Sequence, residues 1–422
     1  MQALRTLNEV IALREAIDAL NLRSRRPCPF STCEYVETFI THDEFGLSEA
    51  ELLFLTVVEE HRLIGYLPLR KHRAYAAMVP YGRVGVLISH DTDRPHVIAR
   101  PEDEARCASA IYEHLLHRED RWSLLELAWQ DAESALLQVP QLEPLRYWSR
   151  RSVTMPVSRV AVSWKSMQEY LAGLSSGQRK NLGRWLRKTL AAGRVEMVSS
   201  DDPAASGPLL ELYLGVERRS WKESALAGIG RDPRRVAFFR ALAEARQPMR
   251  LGVHLLLLDD LPVSGSVTGS FGGVVHALET CFDQDYEGLG CGHVGALLKF
   301  RYAALIGAAE LNLNGNYAYN KAHFGGVVTQ TSAVQIYRVG SAPWLKAQAG
   351  RLKRWLRPPS EKALDFNPER RAHEHHAPVR PAHDEARAWA RTTLAELHGR
   401  FERLSGAALE AAFSPAREKE LA

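Results

Sequence analysis

The sequence predicts an α/β (α+β) protein of two tandem domains, each a mixed, mostly antiparallel sheet flanked by helices, followed by a helical C-terminal extension. The order strand, loop, helix, strand occurs twice, once in each half of the chain. Turn signals at 259–262 and 272–273 separate three strand-like runs of the second half, as in antiparallel hairpins. After residue 344 the sequence shows no strand pattern.

The first domain covers residues 1–150 and opens with a helix. Pro27 and Pro29 end that helix, and Ser31 or Thr32 can cap the next one. The loop that leads to its last helix contains no Gly-x-Gly run, so we expect this domain to shape a substrate cleft. The strand-like runs of this domain are 52–60, 63–72, 81–88 and 122–129.

The second domain covers residues 151–343 and begins near 149–158, where a short basic linker gives way to an apolar alternation. A helix at 178–193 follows, with Leu182, Leu186 and Leu190 at helical spacing. Two more helices precede three strands. The strands are 251–258, 263–271 and 274–283. The basic residues of the 178–193 helix are Arg179, Lys180, Arg184, Arg187 and Lys188.

A glycine-rich loop joins the last of these strands to an apolar helix at 293–307. Gly288, Gly290 and Gly292 lack the Cβ atoms that would keep a ligand away from the backbone, and they tolerate positive φ. The N–H groups at such a helix start can hold a pyrophosphate or polarise a thioester carbonyl. An ordinary turn would use the same glycines, but the surrounding order of elements favours a binding loop.

After the strand at 310–314 comes the segment 319–324, Tyr-Asn-Lys-Ala-His-Phe. Loop and segment together resemble the GNAT superfamily of acyltransferases. In that superfamily a [Gln/Arg]-x-x-Gly-x-[Gly/Ala] loop holds the coenzyme A pyrophosphate, and a later Tyr-x-Lys-x-Gly-Phe carries an acidic tyrosine. Glu287 stands at the place of the usual Gln/Arg, and His323 at that of the usual glycine.

Within the superfamily the chain looks most like the CelD-like and Fem-related branch, over most of residues 25–340. That branch has two GNAT-like domains in tandem, of which the second is expected to be catalytic. The resemblance implies an N-acyltransferase that moves an acyl group from an acyl-CoA or acyl-carrier-protein thioester to a primary amine of a peptide, amino acid or amino sugar. The residues implied in donor binding are Gly288, Gly290, Cys291, Gly292, His293 and Asn314.

Aminolysis of a thioester needs a base for the incoming ammonium and an acid for the departing thiolate. Strand alternation places Glu279 and Asp283 on one face and His276 on the other. The resemblance implies Glu279 as the base and Tyr319 as the acid, with His323 as an alternative base. Solvated strand-end carboxylates and a packing tyrosine are the non-catalytic alternatives.

Two neighbouring residues offer variants of this scheme. Tyr317 could replace Tyr319 as the acid if the alignment shifts. Cys291 lies at a helix N-terminus, where the dipole favours a thiolate that could accept the acyl group. Direct transfer is the usual route of the superfamily, so we expect no covalent intermediate on Cys291.

Charge limits the partners. The 54 basic and 50 acidic residues give a net charge of +4, which argues against nucleic-acid binding over the whole surface. Any electrostatic binding site must therefore be a local basic patch. The basic face at 179–188 could bind the 3′-phosphate of coenzyme A, an acidic carrier protein or tRNA, or it could simply be solvated. The segment 344–357 is basic and amphipathic, as in helices that contact a membrane surface or a carrier protein.

The C-terminal extension, 344–422, contains a histidine-rich stretch and a final helix from Asp384 to about Arg403. No cysteine accompanies these histidines, so we interpret the stretch as a polar linker and propose no metal site. Five cysteines without a CxxC pair indicate a reducing, cytoplasmic setting, and no apolar run is long enough for a transmembrane helix.

Two other functions stay open. The first is a Fem-type aminoacyltransferase that uses aminoacyl-tRNA, although the second domain has no long charged coiled-coil insertion of the kind such enzymes often carry. The second is a non-catalytic protein of exopolysaccharide assembly that keeps only the fold. The glycine-rich loop together with Tyr319 argues against this second alternative.

Overall fold

The computed structural model describes residues 1–42, 51–88, 94–245, 248–315, 321–356 and 383–413. The chain divides into two compact units, each with its own hydrophobic core. The first unit is Met1–Pro156 with Gln330–His373, and the second is Val157–Thr329 with Glu374–Ala422. The predicted division at 1–150, 151–343 and 344–422 cuts the chain into consecutive pieces. In the structure the segment Gln330–His373 belongs to the first unit instead.

The regular elements are numbered in chain order over the described residues. The strands are β1 (Gln2–Leu4), β2 (Leu52–Glu59), β3 (Arg62–Ala76), β4 (Val79–Val86), β5 (Ile98–Ala99), β6 (Leu124–Gln130), β7 (Tyr147–Ala161), β8 (Val195–Ser200), β9 (Arg250–Leu258), β10 (Leu261–Phe271), β11 (Val274–Phe282), β12 (Glu310–Asn312), β13 (Val327–Arg338) and β14 (Glu402–Ser405). The helices are α1 (Leu7–Ile11), α2 (Arg14–Leu22), α3 (Cys33–His42), α4 (Glu104–His117), α5 (Met167–Gly173), α6 (Ser176–Leu190), α7 (Pro203–Glu217), α8 (Trp221–Ser224), α9 (Pro233–Glu244), α10 (Cys291–Leu305), α11 (Ala342–Leu356), α12 (His383–Glu396) and α13 (Gly406–Phe413).

The sheet of the first unit follows the order β1-β2-β3-β4-β6-β13. Its neighbours are antiparallel except β4 and β6, which run parallel. α4 packs on this sheet with Ile111, Tyr112 and Leu115 fully buried, because these residues share one face of the helix. α11 belongs to this unit and packs against β3 and β4.

The sheet of the second unit follows the order β12-β11-β10-β9-β8-β14. β11 and β12 are parallel and pair only from Val274 to His276. β11 then continues to Phe282, and no strand of the described residues pairs with that stretch on the β12 side. The edge of β11 from Ala277 to Phe282 is therefore open on this side among the described residues, and it leads to the glycine-rich loop.

A β-bulge changes the faces of β11. On β10, Val267 lies opposite Glu279 and Thr268 lies opposite Ala277, so Leu278 is the extra residue. Partners across a ladder share a face, and the bulge therefore moves Glu279 to the face of His276. The prediction that these two residues lie on opposite faces is wrong, because simple alternation does not include the bulge.

Three other parts of the chain differ from the sequence predictions. The predicted linker 149–158 lies within the long strand β7, of which Arg159–Ala161 pairs with β12. The C-terminal extension contains a strand, since β14 pairs with β8 and completes the sheet edge. The predicted final helix ends at Glu396 rather than near Arg403. In the described ranges, no helix is both long and apolar enough to cross a bilayer.

Candidate active site

The glycine-rich loop forms the turn between β11 and α10. A short 3-10 helix, Gln284–Leu289, follows the strand, and Gly290 then begins α10 with φ +75°. A Cβ atom at Gly290 would lie 2.2 Å from the ring of Trp185, so both the backbone conformation and the close packing require glycine. A Cβ at Gly292 would lie 2.7 Å from the Phe282 ring, whereas Gly288 faces open space.

Helix α6 packs against this loop. The Trp185 indole covers Gly290 and stacks on His293, with ring centroids 5.5 Å apart and planes at 10°. The Thr189 hydroxyl donates a hydrogen bond to the Leu289 carbonyl at 3.1 Å. α6 and the N-terminus of α10 therefore form one assembly with the loop between them.

The predicted basic face of α6 lies beside this assembly. Arg184 and Lys188 are exposed and approach the Trp185 ring, with distances of 4.6 Å and 5.9 Å to its centroid. Arg179 does not belong to this pair, because its guanidinium donates hydrogen bonds to the carbonyl oxygens of Ala172 and Leu174. Two exposed cations next to a helix N-terminus are an environment that favours phosphate groups.

Cys291 does not have the environment of a nucleophile. Its side chain is fully buried, and its sulfur contacts the carbonyl oxygens of Tyr286 at 3.4 Å and Val263 at 3.7 Å. Burial raises the pKa of the thiol to about 12, against the effect of the helix N-terminus. The geometry supports packing for this side chain, and a role of Cys291 in donor binding stays a prediction.

Glu279, the predicted base, lies in a buried charge cluster. Its carboxylate makes ion pairs with Lys222 and Arg235. Lys222 is also 3.8 Å from the carboxylate of Glu217. Burial by itself would raise the pKa of Glu279, but the two cations lower it overall. A carboxylate held in this way is a weak proton acceptor, and its role as the base stays a prediction.

Asp283 is not a solvated strand-end carboxylate. It is fully buried, and it accepts a hydrogen bond from the Arg219 guanidinium at 2.6 Å. Its other oxygen caps the 3-10 helix by accepting from the Asp285 N–H at 3.1 Å. Asp283 therefore holds the start of the loop, a structural role that the sequence pattern did not indicate.

Lys299 is a buried lysine near the predicted site, and the sequence patterns did not single it out. It lies on α10 with its side chain buried, and its ammonium group is 3.1 Å from the hydroxyl of Thr280 on β11. Burial, together with the positive charges of Lys321 and Lys222, lowers the pKa of Lys299 to about 7. The available signal was a single lysine within the apolar run Ala-Leu-Leu-Lys-Phe of an otherwise buried helix.

The end of β12 is held by a lysine. The Lys321 ammonium contacts the carbonyl oxygens of Leu313, Asn314 and Gly315, the last at 2.9 Å. Asn314 has φ +61°, and its N–H donates to Asn312 at 2.9 Å. Its side-chain oxygen is buried and accepts no hydrogen bond from the described residues. The role of Asn314 in donor binding stays a prediction.

The remaining predicted residues fall in different places. His323 is exposed on the 3-10 helix Ala322–Phe324. Partial desolvation of His293, together with the charges of His323 and Arg184, lowers the pKa of the His293 imidazole. His323 is therefore close to the α6 and α10 assembly. Tyr319 and Tyr317 lie outside the described residues.

One histidine of the predicted linker is part of the second unit. His383 begins α12, and its Nε2 lies 3.3 Å from Asp283 and 3.6 Å from Asp285. These three side chains are close enough to share a cation. The guanidinium of Arg219 already neutralises Asp283, so the donor set is weak for a metal. His373, His375 and His376 lie outside the described residues.

Comparison with known proteins agrees with this geometry. The family model of the acetyltransferase (GNAT) domain matches residues 176–321, which contain α6, the loop, α10 and β12. No curated protein matches the chain in sequence. The GNAT resemblance predicted from the sequence is confirmed by this match.

Solved structures resemble the chain at low sequence identity. The crystal structure of FemX aligns with a TM-score of 0.53 and 11% identity, over 79% of this chain and 97% of FemX. L-PGS from Bacillus licheniformis aligns with a TM-score of 0.41 and 12% identity, over 72% and 89% of the two chains. A tandem GNAT protein from the clavulanic acid biosynthesis pathway aligns with a TM-score of 0.39 and 12% identity, over 81% and 99%. The similarity to FemX shows that the chain has a FemX-like fold, as the predicted resemblance to the Fem-related branch implies.

Proposed function

We propose that this protein, which carries a GNAT domain at residues 176–321 and has the fold of FemX, transfers an acyl group from a phosphopantetheine thioester to a primary amine. The observation that carries the proposal is the assembly of α6 and α10 around Gly290. It combines a helix N-terminus, a glycine turn that packs under Trp185 and two exposed cations, Arg184 and Lys188.

The open edge of β11 beyond its pairing with β12 supports an extended donor arm. Beyond His276 the backbone of β11 has no strand partner on this side among the described residues, so its N–H and C=O groups can pair with the two amides of a pantetheine chain. Phosphates at the loop would then lie at the Phe282 end of this edge and the thioester near Ala277. Coenzyme A and a carrier protein present the same arm, and both remain candidate donors.

Proton transfer in this scheme has two candidate acceptors. The amine nitrogen attacks the thioester carbon, the C–N bond forms, the C–S bond breaks, and the thiolate leaves with a proton. Lys299 is partly neutral near pH 7 and lies on the α10 side of β11, so it can accept the ammonium proton without losing an ion pair. Glu279 would first have to leave Lys222 and Arg235. Tyr319 is the proposed acid for the thiolate.

A turnover assay tests the proposal. The purified chain would be mixed with acyl-CoAs of increasing chain length and a panel of primary amines, and free thiol would be measured with a colorimetric reagent. The double variant Arg184→Gln with Lys188→Gln should raise KM for the donor roughly tenfold, because it removes two phosphate contacts. Lys180→Gln, an exposed cation on the same helix, is the matched control and should change KM less than twofold.

An aminoacyl-tRNA donor is the second candidate, supported by the fold of FemX and by the exposed cations of α6. It predicts that the purified protein retains nucleic acid that RNase removes, and that charged tRNA supports transfer when acyl-CoA does not. Absence of turnover with every thioester and every charged tRNA would favour the non-catalytic alternative.

A further inference from the structure

The outward face of α11 exposes large apolar side chains. Leu345 and Leu352 are each 56% exposed, and Trp355 is 78% exposed. Their spacings of seven and three residues place them on one side of the helix, away from the side that packs on β3 and β4. Scattered exposed apolar residues are common on proteins, but here two leucines and a tryptophan lie on one side of one helix, and we call them the apolar stripe of α11.

Positive charges border this stripe. Lys346, Arg351 and Lys353 are exposed, and α11 contains no acidic residue from Ala342 to Leu356. The guanidinium of Arg351 also lies 5.4 Å from the centroid of the Trp148 ring, which orders it at one side of the stripe. An apolar stripe with Trp and Leu between basic residues is the pattern of helices that lie in the plane of an anionic membrane surface.

The β3–β4 hairpin, on which α11 packs, also combines exposed apolar side chains with basic residues. Tyr75, Met78 and Val79 are exposed at its tip, with Met78 92% exposed. The turn is held by positive φ at Ala77 and Met78, so the apolar tip projects from a rigid hairpin. The segment 70–86 contains no acidic residue, and Arg73 is exposed next to the tip.

We propose that the outer face of α11 and the tip of the β3–β4 hairpin form a docking surface for the headgroup region of an anionic lipid bilayer. Charge complementarity selects this partner, since neither element carries an acidic side chain. A bilayer suits the shape as well, because a helix side and a hairpin tip offer projecting side chains. Trp355 and Tyr75 are residues of the kind that favour the interface between water and acyl chains.

This surface belongs to the first unit and does not depend on the transferase site. We expect reversible binding to the bilayer. Each lysine or arginine near an anionic surface should raise the affinity roughly fivefold, and salt should weaken the binding strongly. An enzyme held in this way would act on amines at a membrane surface.

Co-sedimentation of the full chain with lipid vesicles tests the proposal. Vesicles of phosphatidylcholine alone are compared with vesicles that contain about 30% phosphatidylglycerol, at low and at high salt. We expect binding to the anionic vesicles only, and loss of it at high salt. Lys346→Gln with Lys353→Gln should weaken binding roughly twentyfold, and Leu352→Ser with Trp355→Ser at least tenfold. Leu145→Ser, which changes a leucine that is 95% exposed in the same unit, is the matched control and should bind like the wild type.

Three results would overturn the proposal: equal binding to neutral and anionic vesicles, wild-type binding by both double variants, or an equal loss in the Leu145→Ser control. Binding to an acidic carrier protein that requires the same residues, without vesicle binding, would also overturn it in favour of that partner. Circular dichroism checks that each variant is folded. Thiol-release activity of the variants on soluble substrates is measured separately, so that failure of membrane binding and failure of the proposed transferase function are distinguishable.

Discussion

Substitution of Gly290 by alanine tests whether the loop geometry depends on the contact with Trp185. At φ +75° an alanine costs about 1–2 kcal/mol in backbone strain. Its Cβ would lie 2.2 Å from the indole, against a normal contact near 3.5 Å, so the helix or the ring must move. Overpacking of this kind costs about 1–3 kcal/mol, and we therefore expect Gly290→Ala to lower the free energy of unfolding by about 2–5 kcal/mol.

The assay is urea denaturation, followed by circular dichroism, of four proteins: the wild type, each single variant and the double variant of Gly290→Ala with Trp185→Ala. In the Trp185→Ala background only the backbone strain remains, so the cycle should show a coupling of about 1–3 kcal/mol. Gly288→Ala is the matched control, since Gly288 faces open space at a φ outside the left-handed region, and it should change stability by less than about 0.5 kcal/mol. An equal effect of Gly290→Ala in both backgrounds would refute the reasoning.

Two further predictions concern buried charges. The pKa of Lys299 is 10.5 in the unfolded chain and about 7 in the folded protein. Between these pH values the unfolded chain binds a proton that the folded protein does not bind, so Lys299 destabilises the fold more as the pH falls. Lys299→Met should therefore raise the free energy of unfolding by roughly 1–3 kcal/mol at pH 8, and this gain should shrink toward pH 10. A gain in stability that does not change with pH would contradict the prediction. Asp283→Ala leaves Arg219 buried without its carboxylate and should cost about 3–5 kcal/mol in urea denaturation, whereas Asp285→Ala, at a more exposed carboxylate, should cost less than about 1 kcal/mol.

Local patterns predicted the elements that define the second unit. The strand before the loop, the glycine turn and the helix after it appear as β11, the 3-10 helix with Gly290, and α10. These elements depend on short-range signals, namely apolar periodicity and glycines where φ is positive. The α6 helix was equally visible, because its leucines repeat at helical spacing.

Long-range pairing explains what the sequence did not reveal. β13 contains polar residues such as Gln330 and Gln335, and it forms a strand because it pairs with β6, about 200 positions earlier in the chain. β14 likewise depends on β8. The bulge at Leu278 reversed the predicted face of His276, since a bulge appears only when the partner strand is known.

The charge cluster around Glu279 was hidden for a similar reason. Its cations come from α8 and α9, more than 40 positions away, so the sequence showed an available carboxylate where the structure has an ion-paired one. The buried Lys299 was visible as a lone charge in an apolar helix, a pattern that deserves weight when a binding loop precedes it.

Isothermal titration of the purified protein with acyl-CoAs tests the central claim most directly, because it measures donor binding without requiring the acceptor amine. The account predicts saturable binding of one donor per chain that weakens roughly tenfold in the Arg184→Gln, Lys188→Gln variant and stays unchanged in Lys180→Gln. Absence of binding by every acyl-CoA and every acylated carrier protein, or equal binding by all three proteins, would contradict the placement of the donor at the Gly290 loop.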